Sequence, residues 1–316
     1  MSTNIGRLTP VAVPAEQAAR RTLHVERRGG VRAAWLFILP TLVGFVIFVA
    51  GPIIASIALA FTKYDVVNPP QGVGIANFQE AFGDDRVRTS FRNTIVFVLV
   101  ATALQIILAL ALAIGIQRKM PAALRYFFRT AFFLPIITSA ASISIVFGYM
   151  FNKEFGVVNY YLDKIHIGPI PWLVNTHWSL YSVAIAYCWQ HVGFTFILFS
   201  AGLSNISREI YEAAEIDGVN AITKFFRITL PLLSPTILFT TVIGMISSLQ
   251  VFDQPTVMTN GGPGDSSRTV VMIIYDVAFR NLRFGYGSAI AVLLFVVILG
   301  FTGLQFLLSK RFVFYK

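Results

Sequence analysis

Charge and cysteine are both scarce in this sequence. Only 13% of its 316 residues are Asp, Glu, Lys or Arg, and there is a single cysteine, Cys188. One cysteine excludes an internal disulfide and a cysteine-rich metal site. Cys188 lies in an apolar run and reads as a packed core thiol. The four histidines, His24, His166, His177 and His191, fit no metal-ligand spacing, so no metal is expected, and nothing calls for another cofactor. Only His191 falls in an apolar segment, and no partner that would make it a general base can be identified. A Gly-rich loop ending in Lys-Ser/Thr is missing, so ATP is not bound by that route. The first 30 residues are polar and basic, without the apolar core of a cleavable signal peptide. These absences leave enzyme chemistry with little support, and the chain is not expected to be an enzyme.

What the chain has in quantity is apolar surface: 56% of it is hydrophobic. That places it among polytopic membrane proteins, all-α, with the lipid bilayer as its surroundings. A basic tail, 1–32, precedes a domain over 33–316 with six apolar runs, each near or above the ~20 residues that span a bilayer as helix. The predicted spans are 33–62, with Pro40 and Pro52 inside it; 93–116; 127–151, with Pro135 and a hydroxyl stripe at Thr138, Ser139, Ser142 and Ser144; 178–203; 235–251, with a start as early as Leu230 allowed; and 287–308. Trp172 and Trp178 fall where a membrane interface is expected. The net charge of +10 is spread along the chain, which argues against nucleic acid as a partner. Sixteen of the 25 Lys and Arg fall in the tail, the loop around 118–129, the loop after the fourth span and the C-terminal end. The positive-inside rule therefore puts those segments, and both termini, in the cytoplasm.

The loop after the fourth span, 204–234, stands out as a polar, charged stretch between two strongly apolar ones. Ser207 is a candidate N-cap, with Glu209 in the first turn of the helix it would start. Ile210, Ala213, Ala214 and Asp217 fall on one side at helical spacing, and the two alanines leave that side low enough for close approach by another surface. Gly218 suits the left-handed residue that ends a helix, and Asn220 can cap a second short helix to about Arg227. Pro231 and Pro235 mark the entry to the next span. The expected product is helix, turn, helix: a knob presented to the water.

Two spans beside that loop carry polar groups at helical spacing. On the fourth, Trp189, Val192, Gly193 and Phe196 share a face bordered by Gln190; on the fifth, Gly244, Ser247, Ser248 and Val251 do, with Gln250 adjacent. Each face combines a glycine, an aromatic or hydroxyl group and an amide, as a polyol passage needs. Tight helix packing through Gly and Ser explains the same residues equally well. The passage reading takes Trp189, Gln190, Gly193, Phe196, Gly244, Ser248, Gln250 and Val251 as its lining.

The loop pattern is Glu212-Ala213-Ala214, three residues, Gly218, nine residues, Ile228, one residue, Leu230-Pro231. It resembles, position for position, the EAA loop of the membrane subunits of binding-protein-dependent ABC importers. The segments NKEFGVVN at 152–159, DQPTVMTNGGPG at 253–264 and FGYGSAIA at 284–291 are similar to sugar-importer permeases of the maltose and glycerol-3-phosphate type, and within it to the first of the two unlike permeases. The resemblance implies a cytoplasmic coupling loop in which Glu212, Ala213, Ala214, Asp217 and Gly218 dock on a separate ATPase. It also implies a second unlike permease, two ATPase subunits, an extracytoplasmic sugar-binding protein and a place in a prokaryotic inner or plasma membrane. The other class of function weighed is an ion-coupled secondary transporter, for which Asp253, near a span end, is the one acidic candidate.

Overall fold

The computed structural model of the protein describes residues 35–117 and 120–313. The expected tail, 1–32, lies outside the described residues. The chain divides into two compact units, Met1–Ala55 and Ser56–Lys316.

The first unit contributes most of helix α1, Trp35–Leu59. Leu36, Phe37 and Phe48 stand exposed on it, as side chains meant for hydrocarbon do. The helix widens into a single π turn at Val46–Ala50, closed by the Gly51 N–H on the Val46 carbonyl. That turn sits just before Pro52, which has no N–H to give and whose ring would strike the carbonyl four residues back.

The second unit begins with a two-residue antiparallel pair, β1 Thr62–Lys63 and β2 Gln71–Gly72. Helix α2, Ala76–Gly83, is tied to it by the Asn77 amide, which donates to the carbonyls of Ala60 and Thr62, both at 2.9 Å. Helix α3, Asp85–Gln117, follows and is the spine of the unit. Its small residues Ala101, Ala109 and Ala113 are fully buried, which lets two other long helices lie close along it.

The third apolar run does not cross as one rod. Helix α4, Ala122–Phe133, runs into a 3-10 turn at Leu134–Ile137, and helix α5, Ala140–Met150, leaves at 104° to it. Pro135 sits in the turn, and Thr138 and Ser139 have ψ of 143° and 132°, outside the helical region. The sequence places Pro135 inside a span; the structure makes it a break. A short helix α6, Val157–Lys164, then folds back under the Asn159 side chain, which bonds the Ile170 backbone in both directions and accepts from Trp172 Nε1 at 2.9 Å.

Helix α7, Ser179–Ser204, packs along α3 for most of its length, burying Val183, Tyr187, Val192, Phe196 and Phe199. The helices of the 204–234 loop are α8, Arg208–Ile216, and α9, Ala221–Lys224. Helix α9 continues through a π turn at Phe225–Thr229 into α10, Leu230–Leu249, so Ala221–Leu249 is one 29-residue rod. Short helices α11, Asp253–Thr259, and α12, Val270–Tyr275, lead to the last long helix, α13, Phe284–Phe312. Among the described residues five helices are long and apolar enough to cross a membrane, and six if the bent α4–α5 pair counts as one span. The fold is thus all-α, as expected, with five or six candidate crossings among the described residues. The loops far from 204–234 are pinned by ion pairs: Arg86 to Asp265 at 3.0 Å, Arg268 to Asp265 and Asp276, and Arg283 to Glu80 at 2.6 Å.

Candidate functional site

The 204–234 loop is built as two arms. α8 begins at Arg208, but the Ser207 side chain makes no cap bond, contrary to expectation. Its far end follows the sequence closely. Gly218 has φ +69°, the Val219 N–H reaches the Ala214 carbonyl at 3.0 Å and the Gly218 N–H reaches Glu215 at 3.1 Å. That is the paired-bond helix ending for which glycine is suited, because a Cβ disfavours positive φ. Asn220 then caps α9, its Oδ1 accepting from Thr223 N at 2.8 Å.

Two contacts brace the arms against each other. Lys224 Nζ donates to Glu215 Oε1 at 2.9 Å, and the Tyr211 hydroxyl lies 3.2 Å from Thr229 Oγ1. The Lys224 ammonium holds the Glu215 carboxyl below the usual carboxylate range. The ion-pair half of the brace is therefore complete above the ordinary carboxylate pKa and is lost as pH falls through the lowered value.

The second arm differs from the expected knob. Pro231 and Pro235 do not mark a boundary; the π turn at Phe225–Thr229 takes up the step before Pro231, and Pro235 lies inside α10. The loop's second arm and the span are one lever. The first arm is jointed instead, because α7 ends at Ser204 and α8 starts only at Arg208.

Of the residues expected to form the docking face, Glu212, Ala213, Asp217 and Gly218 are exposed, whereas Ala214 is buried and turned into the chain. The large exposed apolar groups on the loop are others: Ile216 at 87%, Ile222 at 72% and Phe226 at 59% exposure. Sequence reasoning passed over them. Their signal was available, since isolated large apolar residues in a polar stretch have no core of their own to join.

The eight expected passage residues are held differently. Gln190 is buried: its Nε2 donates to the Thr138 carbonyl at 3.1 Å, and its Oε1 accepts from Gln254 Nε2 at 2.8 Å. The carbonyl it satisfies belongs to the break after Pro135. Gly193 meets α4 backbone, so closely that a Cβ there would fall 1.8 Å from the Phe132 oxygen. Phe196 is fully buried, its ring 5.8 Å from that of Phe132, edge to face. On α10, Gly244 faces Thr102 and Gln105 of α3. Ser248 Oγ, fully buried, donates to the Gly244 carbonyl at 2.7 Å and lies 3.3 Å from Thr102 Oγ1. Val251 is buried, and its carbonyl accepts from Thr269 Oγ1 at 2.9 Å.

The face carrying Gly193 and Phe196 therefore meets α4, and the face carrying Gly244 and Ser248 meets α3. Each of the two faces is occupied by another helix of the same chain. Trp189, 48% exposed and edge-on to Phe147 at 5.5 Å, and Gln250, exposed at the end of α10, are the two of the eight that keep an outward surface.

Comparison with known proteins gives three findings. Residues 105–314 match the family described as "Binding-protein-dependent transport system inner membrane component". Among curated proteins, the lactose transport system permease protein LacF of Rhizobium radiobacter is 35% identical over 285 residues, covering 88% of this chain and 94% of LacF. The arabinooligosaccharides transport system permease protein AraP of Bacillus subtilis is 30% identical over 309 residues, covering 97% of each. Among solved structures, a chain of a bacterial ABC transporter involved in the import of the acidic polysaccharide alginate superposes with a TM-score of 0.76 at 24% identity. It covers 92% of this chain and 99% of its own.

Proposed function

The chain belongs to the family of binding-protein-dependent transport system inner membrane components, and from that premise we propose that it is a permease subunit of an ATP-driven importer for a sugar or related polyol. LacF and AraP, similar over most of its length, are named as carbohydrate transport permeases, which supports that substrate class. ATP is hydrolysed in two separate ATPase subunits, and a second, unlike permease completes the pathway. An extracytoplasmic binding protein delivers the substrate; a solved relative with the same fold is an alginate transporter in complex with a pentasaccharide-bound periplasmic protein. The tail 1–32 and the 204–234 loop face the cytoplasm.

The observation that carries the coupling role is the braced loop with its exposed apolar cap on a rod continuous with α10. Glu212, Ala213, Asp217 and Gly218 form the polar and small part of the docking face; Ile216, Ile222 and Phe226 supply the apolar part; Ala214 holds the arm to the rest of the chain. Large apolar groups exposed on a polar element mark a surface with a partner. Displacement of the loop moves α10 as one body and α7 through its joint. The pathway then runs along the surface shared with the second permease, where Trp189 offers a ring face and Gln250 an amide. Gln190, Gly193, Phe196, Gly244, Ser248 and Val251 hold α7 and α10 in place behind it.

Affinity purification of the tagged chain from its native membrane is expected to bring an ATPase and a second permease with it. Recovery of the chain alone from gently solubilised membranes would count against the reading. Orientation is tested by cysteine labelling with reagents that do not cross membranes. Cys188 is 1% exposed and stays silent. A cysteine at Asn260 is expected to react from outside in intact cells, and one at Glu209, exposed and outside the docking face, only after permeabilisation. The reverse pattern would invert the topology.

A further inference from the structure

One cavity at the loop end of the helices is lined by none of the docking-face or pathway residues. Its volume is about 380 Å3, and Arg125 and Arg129 of α4 and Arg208 of α8 line it, with Ser200 and Tyr211. No carboxylate is among its lining residues, and none of the three guanidinium groups has an ion pair among the described residues. Two polar atoms of its lining residues, Arg125 Nε and Ser200 Oγ, are buried beneath the wall with no hydrogen-bond partner. Beside them, α8 starts without a side-chain cap, so the first N–H groups of a nine-residue helix add to the positive character of the wall.

Three arginines lining one cavity without a carboxylate partner are complementary to one ligand chemistry. The guanidinium fork matches the paired oxygens of a phosphate group. We propose that this cavity binds a single phosphate-bearing anion, which joins α4 and α7 to the first arm of the 204–234 loop. Its height favours the phosphodiester headgroup of an anionic phospholipid. Ile116 and Leu203, in the last turns of α3 and α7, line the same cavity, so it lies where a span meets the membrane surface. Basic pockets between spanning helices on the cytoplasmic side suit such headgroups; the assignment to that side rests on the proposed orientation. Free phosphate shares the chemistry and is the other source.

The bound anion spans the joint between α7 and α8, because Ser200 and Arg208 lie on opposite sides of it. Occupancy stiffens that joint, so motion of the docking arm passes to α7 as well as to α10. An importer with this site is sensitive to the anionic lipid content of its membrane.

The test uses the chain in whatever complex it purifies with, wild type beside Arg129→Gln/Arg208→Gln. Both residues are exposed, so the fold tolerates the exchange. Arg311→Gln, exposed at the end of α13, is the charge control. Protein from vesicles of phosphatidylglycerol and phosphatidylcholine is examined by native mass spectrometry. One phosphatidylglycerol per chain is expected on wild type and on Arg311→Gln, with occupancy at least tenfold lower on the double variant and no such difference for phosphatidylcholine. In a second arm, delipidated protein is melted with and without millimolar inorganic phosphate. A rise in Tm for wild type and not for the double variant, without selective lipid retention, assigns the cavity to free phosphate. Equal behaviour of wild type and double variant in both arms overturns the proposal. The binding readout is made on this chain itself, so a missing ATPase would sink the importer reading while leaving this result intact.

Discussion

Replacing Ile216 with aspartate is expected to leave the chain inserted and folded while lowering substrate-stimulated ATP hydrolysis by about thirtyfold or more. Ile216 is 87% exposed at the end of α8 and makes no core contact that its loss would disturb. As the apolar centre of a docked surface it would be fully desolvated. Truncating such an anchor typically costs about 2 kcal/mol or more, which is the thirtyfold, and aspartate adds the desolvation of a charge. Ala213→Arg, on the same exposed side, is expected to act in the same direction by placing a long cation where a partner's surface approaches. The readings are ATPase activity and the amount of ATPase recovered with the tagged chain. Normal activity in a well-expressed Ile216→Asp variant would remove the loop's apolar cap from the coupling surface.

Gly193→Leu is expected to be the most damaging single change inside the membrane domain. A Cβ at this position would lie 1.8 Å from the Phe132 carbonyl oxygen and 2.7 Å from its carbon. Those are backbone atoms, so no rotamer change relieves the contact; α4 as a whole must move off α7. Overpacking of an ordinary core costs about 1–3 kcal/mol, and a backbone clash lies at or above the upper end. Cys188 offers an internal reporter. It belongs to the same apolar cluster as Val192 and Phe196 and is 1% exposed. In detergent, the thiol is expected to stay unreactive in wild type and to label within minutes in Gly193→Leu, with loss of monodisperse protein. A folded, thiol-silent Gly193→Leu protein would mean that the glycine is not a packing device, and would return it to the passage.

Local chemistry made much of this chain legible. Gly218 and Asn220 announce the turn of the loop because left-handed φ and capping are properties of single residues. Hydropathy placed the spans because a bilayer demands length. What the sequence could not resolve were choices decided by distant neighbours. A polar residue in an apolar helix reads equally as pathway or packing until its partner is known. For Gln190 the partner is the Thr138 carbonyl, 52 residues away and freed by the break at Pro135; for Ser248 it is Thr102, 146 residues away. Ala213 and Ala214 are adjacent in sequence, and only the packing of α8 decides that Ala214 is the one turned inward. Pro231 and Pro235 suggested a boundary because proline usually ends helices, whereas a π turn just before Pro231 and placement of Pro235 within α10 keep the rod continuous. That continuity matters mechanically, since it makes the second arm of the loop a lever.

On the proposed function, this chain moves its substrate with energy from ATP hydrolysed on partner subunits. The direct measurement is uptake of radiolabelled sugar into vesicles that contain the purified complex, with its binding protein outside and either ATP or an ion gradient as the only energy source. Uptake is expected to need enclosed ATP and the binding protein, to be unaffected by collapsing proton and sodium gradients, and to be lost in Ile216→Asp. Uptake that proceeds without ATP and follows an imposed ion gradient would contradict it and make the chain a secondary transporter.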